Sequence, residues 1–395
     1  MKQSWTDYKA KHITNAGQII DLNTQTTTSE GQAYALLAAL WVNDRETFDL
    51  VWGWTQANLR TAKSAPLFVW QWGKGTDGQQ KITDQAIATD ADQDIALALL
   101  IADKIWKAPA YRQEALSIIE GLWAQFVKET PAGFIVLPGH WAKQPETQPD
   151  AANRLTINPS YFAPYAYAVF AEVDPEHPWQ KVIEDGYQLL GQVLTQTKTG
   201  LPSDWAFLDL HTPKQGKDRV DSNAVQLFTD PLDERSDFGY EALRVYWRLS
   251  LDQLLQQMTV KKTSRTQQRF LNKNLNIKKT PLWEALKHKQ PLPLSLTWDG
   301  SVRYPHQNAL PLAGSLLPAL NLIDKKRAAT LQHHLVIPAL LDVDRLQYYS
   351  YNWLWFGMAL SHQIDDVTGS NLLLHQSALK ALTEIFTLHE QPSGN

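Results

Sequence analysis

Two acidic stretches in this chain have the residue types and spacing for proton transfer. In Thr27-Thr28-Ser29-Glu30-Gly31-Gln32-Ala33-Tyr34, the carboxylate of Glu30 falls on the first turn of an apolar helix, beside a glycine that leaves space for a ligand. A structural account competes. Ser29 and Gln32 ahead of the run Leu36 to Trp41 form the pattern of a capping box, with Glu30 an acid favoured by the helix dipole. A general acid must also keep its proton near neutrality, whereas a helix N-terminus lowers the pKa, so a second group must raise it. The stretch Ala88-Thr89-Asp90-Ala91-Asp92-Gln93-Asp94-Ile95-Ala96 supplies candidates, because a carboxylate held close to Glu30 disfavours ionisation of both. Alternate aspartates point in different directions on a helix, so at most two of the three face one site. A calcium loop is excluded: its sixth position is Ile95 in place of glycine and its twelfth is Ile101 in place of glutamate.

Apolar residues recur at helical spacing through most of the sequence, and strand-like alternation is scarce. The pattern predicts about a dozen helices, among them Glu30 to Val42, Arg45 to Leu59, Asp92 to Trp106, Ala110 to Lys128, Ser160 to Glu172, Trp179 to Thr197, Gly239 to Met258, Asn308 to Leu320, Lys325 to Leu340, Ser350 to Ser361 and Leu372 to His389. The class is all-α. Short connections alternate with long ones rich in Gly, Pro, Asp and aromatics, at Lys63 to Ala88, Pro131 to Pro159 and Gly200 to Ser236. Long connections between helices are where sites sit. The alternation fits a closed ring of helical hairpins with one functional face, and the periodicity equally permits an open solenoid. With no repeat and no linker, residues 1–395 read as a single domain, carrying a basic excursion from Lys261 to Lys289 that reads as a solvated surface segment.

Composition removes several function classes. The formal net charge of -4 gives no global basic field for nucleic acid. The absence of cysteine removes thiolate catalysis and cysteine-ligated metals. His333-His334 lacks acidic partners, and there is no His-Glu-x-x-His, Gly-x-Ser-x-Gly or Gly-rich phosphate loop, so no metal and no nucleotide cofactor is expected. No apolar run reaches the roughly 20 residues that cross a bilayer, and Met1-Lys2-Gln3-Ser4-Trp5 lacks the apolar core of a signal peptide. The 16 tryptophans exceed what a core usually needs, and flat aromatic faces suit sugar rings.

Ser29 to Tyr34 and Ala88 to Asp92 resemble the two signature stretches of the family 8 glycoside hydrolases, inverting enzymes with an (α/α)6 barrel that mostly cut β-1,4-glucans. Further segments resemble the family in order along the chain: Leu67 to Lys74, Ile157 to Tyr161, Pro202 to Trp205, Gly239 to Val245 and Tyr348 to Tyr351. The resemblance implies an endo-β-1,4-glucanase most similar to the kind that accompanies bacterial cellulose synthase. Such an enzyme is periplasmic or secreted, monomeric and free of cofactors. It also implies Glu30 as proton donor and Asp90 as the residue holding the sugar at subsite -1. The family's usual base is an Asp in Tyr-Asp-Ala-x-Arg, where this chain has Tyr240-Glu241-Ala242-Leu243-Arg244. The extra methylene moves the carboxylate by about 1.5 Å, and misplacement by ~1 Å can cost ~100-fold in rate. Glu241 is nevertheless the expected base, with Asp237 the alternative and Asp204 a structural carboxylate. Tyr34, Trp70, Trp72, Tyr161, Trp205 and Arg244 are the expected substrate-binding residues: Tyr161 to position the water, Arg244 to pair with a cleft carboxylate, the tryptophans to stack on sugars. For Trp72, core packing is an equal reading. Two rivals remain, a glucan-binding protein whose turnover is lost through Glu241, and a xylan or chitosan hydrolase of the same family.

Overall fold

In the computed structural model, residues 1–62, 64–142, 154–210, 225–258, 277–367 and 381 are described. The helices, in chain order, are α1 (Lys2–His12), α2 (Ser29–Val42), α3 (Arg45–Asn58), α4 (Thr89–Trp106), α5 (Pro109–Phe126), α6 (Pro164–Val173), α7 (Trp179–Gln196), α8 (Arg244–Met258), α9 (Pro281–Lys287), α10 (Leu310–Ile323), α11 (Lys325–Leu331), α12 (Ile337–Leu341) and α13 (Tyr348–Val367). Helix α2 packs on α4, α4 on α6, α6 on α8, α8 on α10, α10 on α13, and α13 returns to α2, which closes a ring of six. The ring is the inner layer of an (α/α)6 barrel. Around it, α3 backs α2, α5 backs α4, α7 backs α6, α11 backs α10 and α1 backs α13.

Side-chain patterning explains which helices sit inside. Helix α4 buries every residue from Thr89 to Ala102, and α2 buries almost all of Ser29 to Leu40, as helices enclosed by protein on all sides must. Helix α7 buries one stripe, including Trp179, Val182, Ile183, Tyr187, Leu190 and Val193, and shows water its other face. The α10–α13 crossing is close because two glycines meet there: a Cβ on Gly314 would lie 2.2 Å from the Trp353 carbonyl oxygen, and one on Gly357 would lie 2.0 Å from the Gly314 carbonyl oxygen. Trp5, Trp52, Trp179, Trp247, Trp353 and Trp355 are buried, so much of the tryptophan content serves packing.

The expected long connections hold strands. The stretch from 64 to 88 holds β2 (Val69–Lys74) and β3 (Gln80–Ile87), which pair antiparallel, with β1 (Thr27–Thr28) antiparallel on the other side of β2. A hairpin of β4 (Val127–Thr130) and β5 (Gly133–Val136) follows α5, and β6 (Arg154–Ile157), β7 (Ala206–Leu210) and β8 (Val225–Phe228) make a third sheet. Strand register sets two neighbour relations. Thr28 opposite Gln71 brings the start of α2 beside Trp70, and Ile157 opposite Ala206 brings Asn158 beside Trp205.

Several boundaries differ from the sequence reading. Helix α4 starts at Thr89, three residues before the expected Asp92, so all three aspartates lie within it. The expected helix from Ser160 begins only at Pro164, because Pro159–Tyr161 is a separate 3-10 turn. The expected helix from Gly239 begins at Arg244, leaving Gly239 to Leu243 as turns. Lys325 to Leu340 is interrupted by a π-helical turn at Gln332–Val336 just ahead of Pro338, whose ring nitrogen cannot donate into the ladder. Helix α1 and the small sheets lie outside the helical pattern read from the sequence. Apart from residue 381, the expected helix from Leu372 to His389 lies outside the described residues, as does most of the basic excursion. Of the excursion, Ile277–Lys279 forms a 3-10 turn and Pro281–Lys287 forms α9. No helix among the described residues is long and apolar enough to cross a membrane.

Candidate active site

The acid stretch is positioned by a cap one residue earlier than the sequence pattern implied. Thr28, in extended backbone, accepts through Oγ1 from the Gly31 N–H at 3.2 Å. The Ser29/Gln32 capping box does not form, since Gln32 is a buried cross-link that accepts from Ile19 N–H at 2.7 Å and donates to Thr55 Oγ1 at 2.8 Å. The space beside Gly31 is also spoken for: a Cβ there would lie 2.2 Å from the Tyr348 hydroxyl of α13, so the glycine makes room for a tyrosine and not for a ligand. Trp70 donates its indole N–H to Glu30 Oε1 at 3.2 Å, and Ser29 Oγ donates to Oε2 at 3.3 Å. Burial, and then the charge of Asp90, push the Glu30 carboxyl up to about 8, while its own backbone N–H and Arg244 pull against them. The position of Glu30 at a helix N-terminus therefore does not strip it of its proton.

Asp90 and Asp94 stand one helical turn apart on α4 and face Arg244 and Arg248, one turn apart on α8. Arg244 donates to Asp90 at 2.8 Å, and Arg248 donates to both oxygens of Asp94 at 3.1 Å. Asp92 points elsewhere and accepts from the Phe68 N–H at 3.0 Å, which anchors the chain entering β2. Burial raises the Asp90 carboxyl to about 6 against the pull of Arg244 and Arg248, so it is ionised at neutral pH.

Glu241 lies in the turn before α8. Its Oε2 receives a hydrogen bond from Asn158 Nδ2 at 2.8 Å and another from Arg244 Nη2. Arg244 therefore joins Asp90 and Glu241 through one guanidinium, and Glu241 raises the Glu30 carboxyl in turn. Three carboxylates from α2, α4 and the turn before α8 thus share one site, and Glu241 remains 33% exposed. Asn158 is itself held, since its Oδ1 accepts from Ser160 N–H at 2.9 Å and from Ser160 Oγ at 2.7 Å. Asp237, the alternative base, is 4% exposed and committed to Arg303.

The remaining expected residues are placed unequally. Tyr161 lies under the Arg244 guanidinium, 5.2 Å from ring centre to carbon, with Asp90, Glu241 and Glu30 in its field. Trp205 sits 6.2 Å from Tyr161 and meets Trp141 edge-on at 5.0 Å. Trp141 is 45% exposed and extends this aromatic row outward. Tyr34 is 4% exposed and packs edge-on against Trp353 and Phe356, with Arg244, Asp90 and Glu30 around its hydroxyl, so it belongs to the floor beneath the acids. Trp72 packs edge-on against Trp54 at 5.9 Å, on the core side, in keeping with its packing reading. Sequence reasoning missed Asn158 as a partner of Glu241, the Asp94–Arg248 pair and Trp141. The matched spacing of Asp90/Asp94 and Arg244/Arg248 was the available signal for the second of these.

A family model described as glycosyl hydrolases family 8 matches residues 1–281. The chain is 36% identical over 206 residues to an endoglucanase of Cellulomonas uda, covering 52% of this chain and 55% of that protein. It is 30% identical over 247 residues to an endoglucanase of Pseudomonas fluorescens, covering 61% and 58%. It thus spans little more than half the length of these curated relatives. The crystal structure of an endo-1,4-D-glucanase from Vibrio fischeri superposes with a TM-score of 0.72 at 24% identity, over 91% of this chain and 94% of that one, and so shares the fold. Taken with the six-helix ring and its shared acid site, the match places this chain in glycosyl hydrolase family 8.

Proposed function

We propose that the chain is an inverting endo-β-1,4-glucanase. The observation that carries the reading is the single guanidinium of Arg244 joining Asp90 to Glu241, with Glu30 kept protonated in the same field. Inversion uses an acid on one side of the glycosidic bond and a base activating water on the other, about 6.5–9.5 Å apart. Glu30 protonates the leaving oxygen, its Oε1 accepting from Trp70 and its Oε2 from Ser29. Glu241 takes the proton of the attacking water through Oε1, because Asn158 and Arg244 both donate to Oε2 and no described residue donates to Oε1. Asp90, ionised between them, stabilises positive charge developing at the anomeric carbon. Acid, base and electrostatic roles are all filled by side chains of this chain.

Trp205 and the 45% exposed Trp141 are the stacking residues for sugar, supported by their row leading away from Arg244, and Tyr161, buried beneath that guanidinium, positions the water. The glucan assignment is supported by the endoglucanase names of the relatives at 30% identity and above, and the β-1,4 linkage by the resemblance of the signature motifs. Insoluble glucan does not enter cells, so the working compartment is periplasmic or extracellular, and cellulose synthesis is the setting the signature motifs suggest. The test is Glu30→Gln, assayed by reducing ends released from carboxymethylcellulose at matched folding. Loss of ~100-fold or more supports Glu30 as the acid, and near-wild-type turnover removes it from that role. Xylan and chitosan run in parallel identify the glycan.

A further inference from the structure

The turn carrying Glu241 is held from below by one carboxyl. Asp204 Oδ1 accepts from the N–H of Glu241 at 3.1 Å and from the N–H of Ala242 at 2.8 Å. It thereby ties down the turn that leads into α8, although it comes from the segment before β7, nearly forty residues earlier in the chain. Its own backbone is fixed, because Asp204 N–H donates to the Asp237 carbonyl at 2.7 Å and Trp205 N–H to the Arg235 carbonyl at 2.7 Å. Gly239 permits the approach, since a Cβ there would lie 2.6 Å from Asp204 Oδ2. Packing holds the apolar residues of the turn, Ala242 and Leu243, in the core, while Tyr240 stands 38% exposed. Beside the turn, Asp204, Asp237, Gly239, Tyr240 and Arg303 line a cleft. On the carbonyl side, the Tyr349 hydroxyl donates to Tyr240 at 2.6 Å, Ser315 Oγ to Leu243 at 2.6 Å and Arg244 Nε to Glu241 at 3.3 Å, so Asp204 is the side chain that holds the amides.

We infer that Asp204 is the positioning residue of the catalytic base, its carboxyl clamping two successive amides so that the glutamate side chain at 241 starts from a fixed point. This rests on the proposed role of Glu241. Burial is the main cause that raises the Asp204 carboxyl to about 7, so in mildly acid solution it is a neutral acid accepting through Oδ1. An asparagine amide oxygen reproduces that acceptor.

The experiment compares Asp204→Asn, Asp204→Ala and Gly239→Ala on a soluble cello-oligosaccharide, with amide hydrogen exchange of Glu241 and Ala242 measured alongside. Asp204→Asn is expected to keep kcat within about 5-fold and both amides protected. Asp204→Ala is expected to lose about 10- to 100-fold in kcat with KM changed less than about 2-fold and both amides exposed, and Gly239→Ala to follow it. A merely structural cap would lower the melting temperature of Asp204→Ala and leave kcat intact below it, which overturns the inference. So would amides of Glu241 and Ala242 that stay protected in Asp204→Ala. An inert wild-type enzyme would defeat the glucanase reading instead, and hydrogen exchange would still report whether the clamp exists.

Discussion

With its backbone pinned by Asp204, Glu241 reaches the water by side-chain length alone. Glu241→Asp, which writes the more common family motif into this chain, is therefore expected to lose activity, by about 10- to 100-fold in kcat, because the carboxylate retreats by about 1.5 Å from a turn that cannot follow it. Equal or higher kcat would show that the turn adapts. Glu30 sets the other side of the pH profile. Its carboxyl is raised to about 8 and must be protonated to act, so kcat/KM should fall as pH rises through that region. The residues of this site were largely legible in the sequence, since Glu30, Asp90, Glu241 and Arg244 do converge. What the sequence hid was the reason for each neighbour. Gly31 pointed to a ligand and answers instead to Tyr348, and Ser29 looked like a cap where Thr28 does the capping. Such partners come from segments distant in the chain, which local pattern does not report.

At the level of elements, the ladder between α4 and α8 fixes the rotation of both helices, and so where Asp90 points. Its lower rung, Asp94 with Arg248, is buried at 4% and 1% side-chain exposure and is joined by the Tyr165 hydroxyl. Asp94→Ala leaves an uncompensated buried guanidinium and is expected to cost about 3–5 kcal/mol in denaturant unfolding. Pairing it with Arg248→Met should recover most of that loss, and failure to recover would mean the rung matters for more than charge balance. The helices were readable because apolar residues recur at helical spacing in them, as nearly continuous burial in α2 and as a stripe in α7. Helix α1 was not, since its contacts are made by Trp5, Tyr8 and His12 within an otherwise polar run. The strands escaped for a similar reason: β3 is Gln-Lys-Ile-Thr-Asp-Gln-Ala-Ile, half-exposed and polar, and it exists because β2 offers it an edge.

For the whole molecule, closing the ring buries acids that the unfolded chain would leave ionised. Burial raises Glu30 to about 8, Asp204 to about 7, Asp90 to about 6 and Asp252, beneath the Tyr187 hydroxyl, to about 7. The folded state therefore holds protons that the unfolded chain releases above about pH 4–5, and stability must fall as pH climbs through 6 to 8. Calorimetry is expected to show a melting temperature lower at pH 8.5 than at pH 5.5. Asp252→Asn, remote from substrate, should narrow that gap by a few degrees, on the order set by unfolding entropy. A gap unchanged in the variant would remove Asp252 from the balance. The barrel thus gives up some alkaline stability to keep its acid protonated.

The stereochemistry of the cut bears most directly on how the three acids work, because it depends on water entering opposite the leaving group under the control of Glu241. Proton NMR of a cello-oligosaccharide during the first minutes of hydrolysis should show the α-anomer of the new reducing end appearing before mutarotation supplies the β-anomer. A β-anomer formed first would contradict the assignment of Glu241 as a base acting through water.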